Sequence, residues 1–109
     1  MSYNVELTEN FKKEAKRLYK KYLSLKNDLE VLGGILSENP TTGTNLGNNI
    51  YKIRLAIKSK GKGKAGGARV MTQVKIVKKT VYLFSIFDKS EKDSISDKEI
   101  KELIKDIPA

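Results

Sequence analysis

The hydrophobic period of this chain switches between its two halves, and that switch restricts the fold more than any other feature. From Phe11 to Leu36 the apolar residues recur every three or four positions, and from Ile50 to Ile76 they recur every second position. Phe11, Ala15, Leu18 and Tyr22 form one stripe, with Lys12, Lys13, Lys16, Lys20 and Lys21 off it, which predicts an amphipathic helix started by Thr8 as N-cap. Leu25, Leu29, Leu32 and Leu36 predict a second helix, capped by Ser24 and stopped at Asn39-Pro40, with Gly33-Gly34 as a point of bending. Ahead of both, Tyr3, Val5 and Leu7 alternate with polar residues as a short strand.

Pro40 to Asn49 is rich in Thr, Gly and Asn and reads as loop. Beyond it, Tyr51, Ile53, Leu55 and Ile57 lie on one strand face, with Ile50, Lys52, Arg54 and Ala56 on the other. In the next run Val70, Thr72, Val74 and Ile76 oppose Arg69, Met71, Gln73 and Lys75. Lys78-Lys79 is a turn, and Thr80 to Phe87 is apolar almost throughout, as expected of a central strand covered on both faces. Ser96-Asp97-Lys98-Glu99 is a capping box that opens a last helix, with Ile100, Leu103, Ile104 and Ile107 inward and Pro108 ending it. The predicted order is β-α-α-β-β-β-α. This is an α+β domain spanning residues 1–109, with a helical hairpin packed on a small, mostly antiparallel sheet and a short C-terminal helix.

Charge is distributed unevenly. Residues 1–38 carry seven Lys/Arg against six Asp/Glu, residues 88–109 five against seven, and residues 39–87 ten Lys/Arg with no acid. The net charge of +9 therefore comes from the middle of the chain. Lysines kept for solubility are usually interspersed with acids, so an acid-free run of this length points to a polyanionic partner, RNA or DNA. The chain has no Cys and no His. Thiol nucleophiles, thiolate metal sites and imidazole acid–base chemistry are thereby excluded, and no cofactor or metal is expected. No apolar run suits a membrane span or a signal peptide, so a cytoplasmic location is expected.

The segment Lys58-Ser-Lys-Gly-Lys-Gly-Lys-Ala-Gly-Gly-Ala-Arg69 combines dense charge with little bulk. Glycines let backbone N–H groups approach phosphates, and lysines act as point charges on them. Gly63-Lys64 is followed by Ala65 and then a strand, which rules out a P-loop. Two readings stand for the run, a phosphate-binding loop and a merely solvated one. Arg54 and Arg69 flank it on the strand face opposite the apolar one, where antiparallel pairing would bring their guanidinium groups together as a clamp on a phosphodiester. Acids from the terminal segments are their alternative partners. Phe84, Phe87 and Tyr82 read as core, with Phe87, at the strand end, the best placed of them to stack on a base. Lys89 is the one base beside that end.

Taken together, Ile53-Arg54, the run Lys-Gly-Lys-Gly-Lys-x-Gly-Gly-x-Arg-Val at 60–70 and Val81-Tyr-Leu-Phe-Ser-Ile-Phe-Asp-Lys-Ser-Glu91 resemble the HigB-like branch of the RelE/ParE toxins. The helical hairpin and the last helix extend the resemblance over essentially the whole chain. It implies the toxin of a type II toxin–antitoxin module that cuts mRNA on the ribosome, through attack of a ribose 2′-OH on the adjacent phosphate. In that scheme Arg69 is the main phosphate-stabilising residue, Arg54 assists it and Lys89 aids proton transfer. Lys52, Lys58, Lys60, Lys62 and Lys64 hold the RNA backbone, and Phe87 stacks. Relatives commonly carry Tyr where this sequence has Phe87, so no phenol is available there to move a proton. The implied partners are an antitoxin, usually a helix-turn-helix protein, together with mRNA and the ribosome. The alternatives are a ParE-like inhibitor of DNA gyrase and a catalytically weakened nucleic-acid binder. Arg69→Ala is expected to abolish toxicity and spare the fold.

Overall fold

The computed structural model describes residues 2–61 and 63–109. Its elements are β1 (Asn4–Leu7), α1 (Glu9–Tyr19), α2 (Leu25–Glu38), β2 (Thr44–Asn45), β3 (Ile50–Leu55), β4 (Ala68–Lys75), β5 (Thr80–Asp88) and α3 (Asp97–Leu103), with 3-10 turns at Lys58–Lys60 and Ile104–Asp106. The strands form one sheet in the order β1-β5-β4-β3-β2. Three of its pairings are antiparallel, and β1 runs parallel to β5, with Val5 opposite Val81. The α+β architecture, with its mostly antiparallel sheet, thus follows the sequence expectation, with one correction in the connection before β3. The segment 40–49 is not all loop, because Thr44 and Asn45 pair with Lys52 and Tyr51.

The helical hairpin covers one face of the sheet. Phe11, Ala15 and Leu18 of α1 and Leu25, Leu32 and Leu36 of α2 are buried with Tyr51, Ile53, Leu55, Val70, Val74, Val81, Leu83 and Ile86, each large side chain contributing about 1.5–3 kcal/mol. Thr8 caps α1 by accepting the Phe11 amide proton. Ser24 stands at the N-cap of α2 without a side-chain bond to the helix backbone; its hydroxyl is turned to Asp28 instead. Nor do Gly33 and Gly34 interrupt α2, which runs through them unbroken. The second face is smaller. Ile50, Met71, Phe84 and Phe87 pack there against Ile100 and Ile107 of the C-terminal segment, whose helix opens on the expected Ser96–Glu99 capping box. Ile76 is a further correction. It lies past the end of β4 in the hairpin and is exposed rather than inward.

One local device shapes the edge of β5. β1 stops at Leu7, and after it α1 supplies side chains in place of a strand. Asn10 donates to the Phe84 carbonyl at 3.0 Å, and Glu14 accepts from the Ile86 amide at 3.3 Å and the Ser85 hydroxyl at 2.8 Å. The register of β4 and β5 slips by one residue at this point, between Met71 and Thr72, as a β-bulge requires. Edge groups that would otherwise recruit another strand are satisfied from within.

Candidate nucleic-acid interface

Strand register decides which candidates meet. Arg54 of β3 lies directly opposite Arg69 of β4, and Arg69 directly opposite Phe87 of β5, so the three form one row across the sheet. Lys52 is two residues from Arg54 on the same face, opposite Met71. Lys58 and Lys64 are exposed on the connection between β3 and β4. With Arg54 and Ala56 they line a depression of about 200 Å³ that α2 closes with Val31 and Ile35. The candidate at position 62, Lys62, lies outside the described residues.

The two arginines differ sharply. Arg54 is exposed. Arg69, expected on an open polar face, is only 6% exposed. Its guanidinium donates to the carbonyls of Lys64 at 3.0 Å, Ala68 at 3.1 Å and Ala65 at 3.2 Å, so the connection folds over it. Parity along the strand was right, but the loop and the C-terminal segment cover part of that face. Burial lowers the Arg69 pKa, and the neighbouring Arg54 charge lowers it further.

Lys60 and Phe87 are also placed otherwise than sequence suggested. Lys60 points inward, with its ammonium 2.7 Å from Asp88 Oδ1 and 3.1 Å from the Ser90 hydroxyl. The side chain is 10% exposed, so it is not offered to a backbone phosphate. The ring of Phe87 is buried in the second cluster, with the Lys92 ammonium 5.6 Å from its centre, and has no open face for a base. Lys89 is partly exposed. Its ammonium lies 3.2 Å from both Asp93 Oδ1 and the Asp93 carbonyl, and its amide donates to Gly67, joining the end of β5 to the end of the basic loop.

Sequence reasoning passed over Asp88. It is the first acid after the acid-free segment, it sits opposite Ala68 at the end of β5, and it is fully buried. Its carboxylate accepts from Lys60, from the Ser90 amide at 2.9 Å and hydroxyl at 2.7 Å, from the Tyr22 hydroxyl and, at 3.3 Å, from Lys21. Burial pushes this carboxyl up, but the bonds from Lys60, Tyr22 and Ser90 outweigh burial and hold it well below the usual carboxylate range. The signal in the sequence was its place, an acid that directly ends the apolar run Thr80 to Phe87. A second anchor joins the turn after β3 to α2: Ser59 N–H donates to the Ser24 hydroxyl at 2.8 Å, and Lys58 N–H to Asp28 at 3.2 Å.

Among the described residues no helix is long and apolar enough to cross a membrane. Comparison with known proteins bears on the identity of this site. Residues 5–107 match the family described as the RelE toxin of the RelE/RelB toxin–antitoxin system. No curated protein matches the sequence. Among solved structures, a doubly substituted Escherichia coli toxin RelE in the free state is 21% identical, with a TM-score of 0.63 over 99% of this chain and 100% of that one. The toxin–antitoxin complex RelBE2 from Mycobacterium tuberculosis is 15% identical, with a TM-score of 0.57 over 81% of this chain and 92% of that one. These likenesses carry the fold, and the family match carries the membership: the chain belongs to the RelE family of toxins from RelE/RelB toxin–antitoxin systems.

Proposed function

We propose that this protein is a ribosome-dependent mRNA endonuclease, the toxin arm of a type II module held in check by an antitoxin, acting in the cytoplasm as one domain. The observation that carries this reading is Arg54, exposed and opposite Arg69, beside the exposed Lys58 and Lys64, in a segment that contains no carboxylate. Cations held on a rigid sheet stabilise charge where it develops on a phosphate in the transition state. The ribose 2′-OH attacks the adjacent phosphorus and releases its proton to solvent water, the bond to O5′ breaks, and the products are a 2′,3′-cyclic phosphate and a 5′-hydroxyl. Arg54 meets the phosphate first. Arg69 follows by exchanging loop carbonyls for phosphate oxygens, and Lys89 delivers the proton to the leaving O5′. Lys52, Lys58 and Lys64 bind the flanking backbone as point charges. Orientation of the attacking hydroxyl is left to the ribosome, since a histidine-free chain has no imidazole base. The Lys-Gly run joined to Gly-Gly-x-Arg supports placing the chain in the HigB-like branch.

The test is induced expression in a bacterium, with mapping of new mRNA 5′ ends and a supercoiling assay on the purified protein. Arrest with cuts inside translated codons is the expected result. Arrest without cuts, with loss of supercoiling, would replace the nuclease by a gyrase inhibitor. Nucleic-acid binding without arrest would leave only a binder.

A further inference from the structure

We infer that Asp88 is a positioning residue of this site, a buried carboxylate that acts through Lys60 and Tyr22 to hold the basic loop and the Lys89 strand end against the helical hairpin. The inference rests on the nuclease reading for its catalytic consequence, though not for its structural one.

Three pieces of the molecule meet on this one side chain. Lys60 comes from the turn that begins the basic loop, Ser90 from the exit of β5 next to Lys89, and Tyr22 with Lys21 from the corner between α1 and α2. Oδ1 accepts from Lys60 and twice from Ser90, and Oδ2 accepts from Tyr22 and Lys21. A carboxylate has about four acceptor positions, so five donors saturate it, and Asp88 has no capacity left to act as a base or to meet RNA. The tie is reinforced around it. The ammonium groups of Lys21 and Lys60 lie 5.3 and 5.4 Å from the centre of the Tyr22 ring. Glu91 binds Arg17 at 2.8 Å and Lys21 at 3.1 Å, fastening the same strand exit to α1.

The location gives the network its consequence. Asp88 directly follows Phe87, the strand partner of Arg69, and Lys60 stands between Lys58 and Lys64 in the chain. Lys58 and Ser59 are tied to α2 through Asp28 and Ser24, and Lys60, fixed inward on Asp88, holds the end of that turn from which the loop runs on to fold back over Arg69. Buried ion pairs contribute little net stability against apolar substitutes, so their value here is geometric. Misplacement of catalytic groups by about 1 Å costs up to about a hundredfold in rate.

Electrostatics and positioning predict opposite signs for Asp88→Asn. Removing a negative charge beside a basic surface tightens RNA binding or leaves it unchanged, whereas a lost anchor lowers turnover. The experiment compares wild type with Asp88→Asn, Lys60→Met, Lys60→Arg and the Asp88→Asn/Lys60→Met double variant, each first checked for cooperative unfolding. Limited trypsin digestion, read by mass spectrometry, reports scission after Lys60. Cleavage of a defined mRNA on purified ribosomes gives kcat and KM. Wild type and Lys60→Arg are expected to resist scission after residue 60. Asp88→Asn is expected to open that bond at least about tenfold faster, because its loss leaves the buried ammonium unpaired. The expected kinetics are a kcat lower by about ten- to a hundredfold for Asp88→Asn and Lys60→Met, with KM within about twofold, recovery in Lys60→Arg, and a double variant no worse than the singles. Unchanged loop protection in a folded Asp88→Asn protein would overturn the inference, as would unchanged kcat. If wild type cuts no mRNA, the nuclease reading fails, and the trypsin result still decides whether Asp88 holds the loop.

Discussion

Arg54 and Arg69 face each other across β3 and β4, and only Arg54 is open to solvent. One guanidinium is ready for a phosphate, while the other is engaged by three loop carbonyls. The pair therefore separates in mutagenesis. Arg54→Ala is expected to change stability by less than about 0.5 kcal/mol while lowering mRNA cleavage by about 10²–10³-fold. Arg69→Ala removes the partner of three carbonyls, costs about 1–3 kcal/mol and also abolishes cleavage. Urea unfolding beside a cleavage assay checks both.

The loop lysines are distinguished by salt. Lys58→Ala and Lys64→Ala are each expected to reduce the slope of log affinity against log salt for single-stranded RNA by about 0.7. Lys60→Ala is expected to leave the slope unchanged, because its ammonium is already paired with Asp88. Anisotropy titrations at several salt concentrations give the slopes.

Acid stability reports on Asp88. Its folded-state pKa is depressed below the unfolded value of about 3.9. The stability it contributes is therefore fully present above that value, and it drains away as pH falls toward and through the folded one. Denaturant midpoints measured from about pH 6 down to about pH 2 are expected to fall steeply at the acid end in wild type, and less steeply in Asp88→Asn.

Gly67 leaves no room for a side chain. A Cβ there would overlap the Leu55 carbonyl oxygen, where the basic loop returns to the sheet. Gly67→Ala is expected to cost about 1–3 kcal/mol, measured as a lower urea midpoint, and to displace Lys89, whose amide bonds the Gly67 carbonyl.

Periodicity made most of the architecture readable. The stripe from Phe11 to Tyr22, the leucines of α2, the alternation through β3 and the Ser96 capping box each describe a local geometry that packing did not override. What stayed hidden depends on contacts between distant segments. Nothing near Val5 states that it pairs in parallel with Val81, and Thr44-Asn45 is too short for a period. Arg54 and Arg69 were legible as a pair because register follows from alternation. The burial of Arg69 was not, because it depends on the path of a glycine-rich loop that periodicity does not describe. Lys60 has the same composition and spacing as its neighbours, and only the position of Asp88 turns it inward. Phe87 reads equally as core or platform until the C-terminal segment is seen to cover it.

The central claim is tested most directly by adding the purified protein to one mRNA, free and engaged on translating ribosomes, and mapping the ends. The account predicts cuts within codons on ribosomes, each leaving a 2′,3′-cyclic phosphate or its hydrolysis product, few or none on free mRNA, and none with Arg54→Ala. An intact message on ribosomes at saturating protein, or equal cutting by Arg54→Ala, would contradict it.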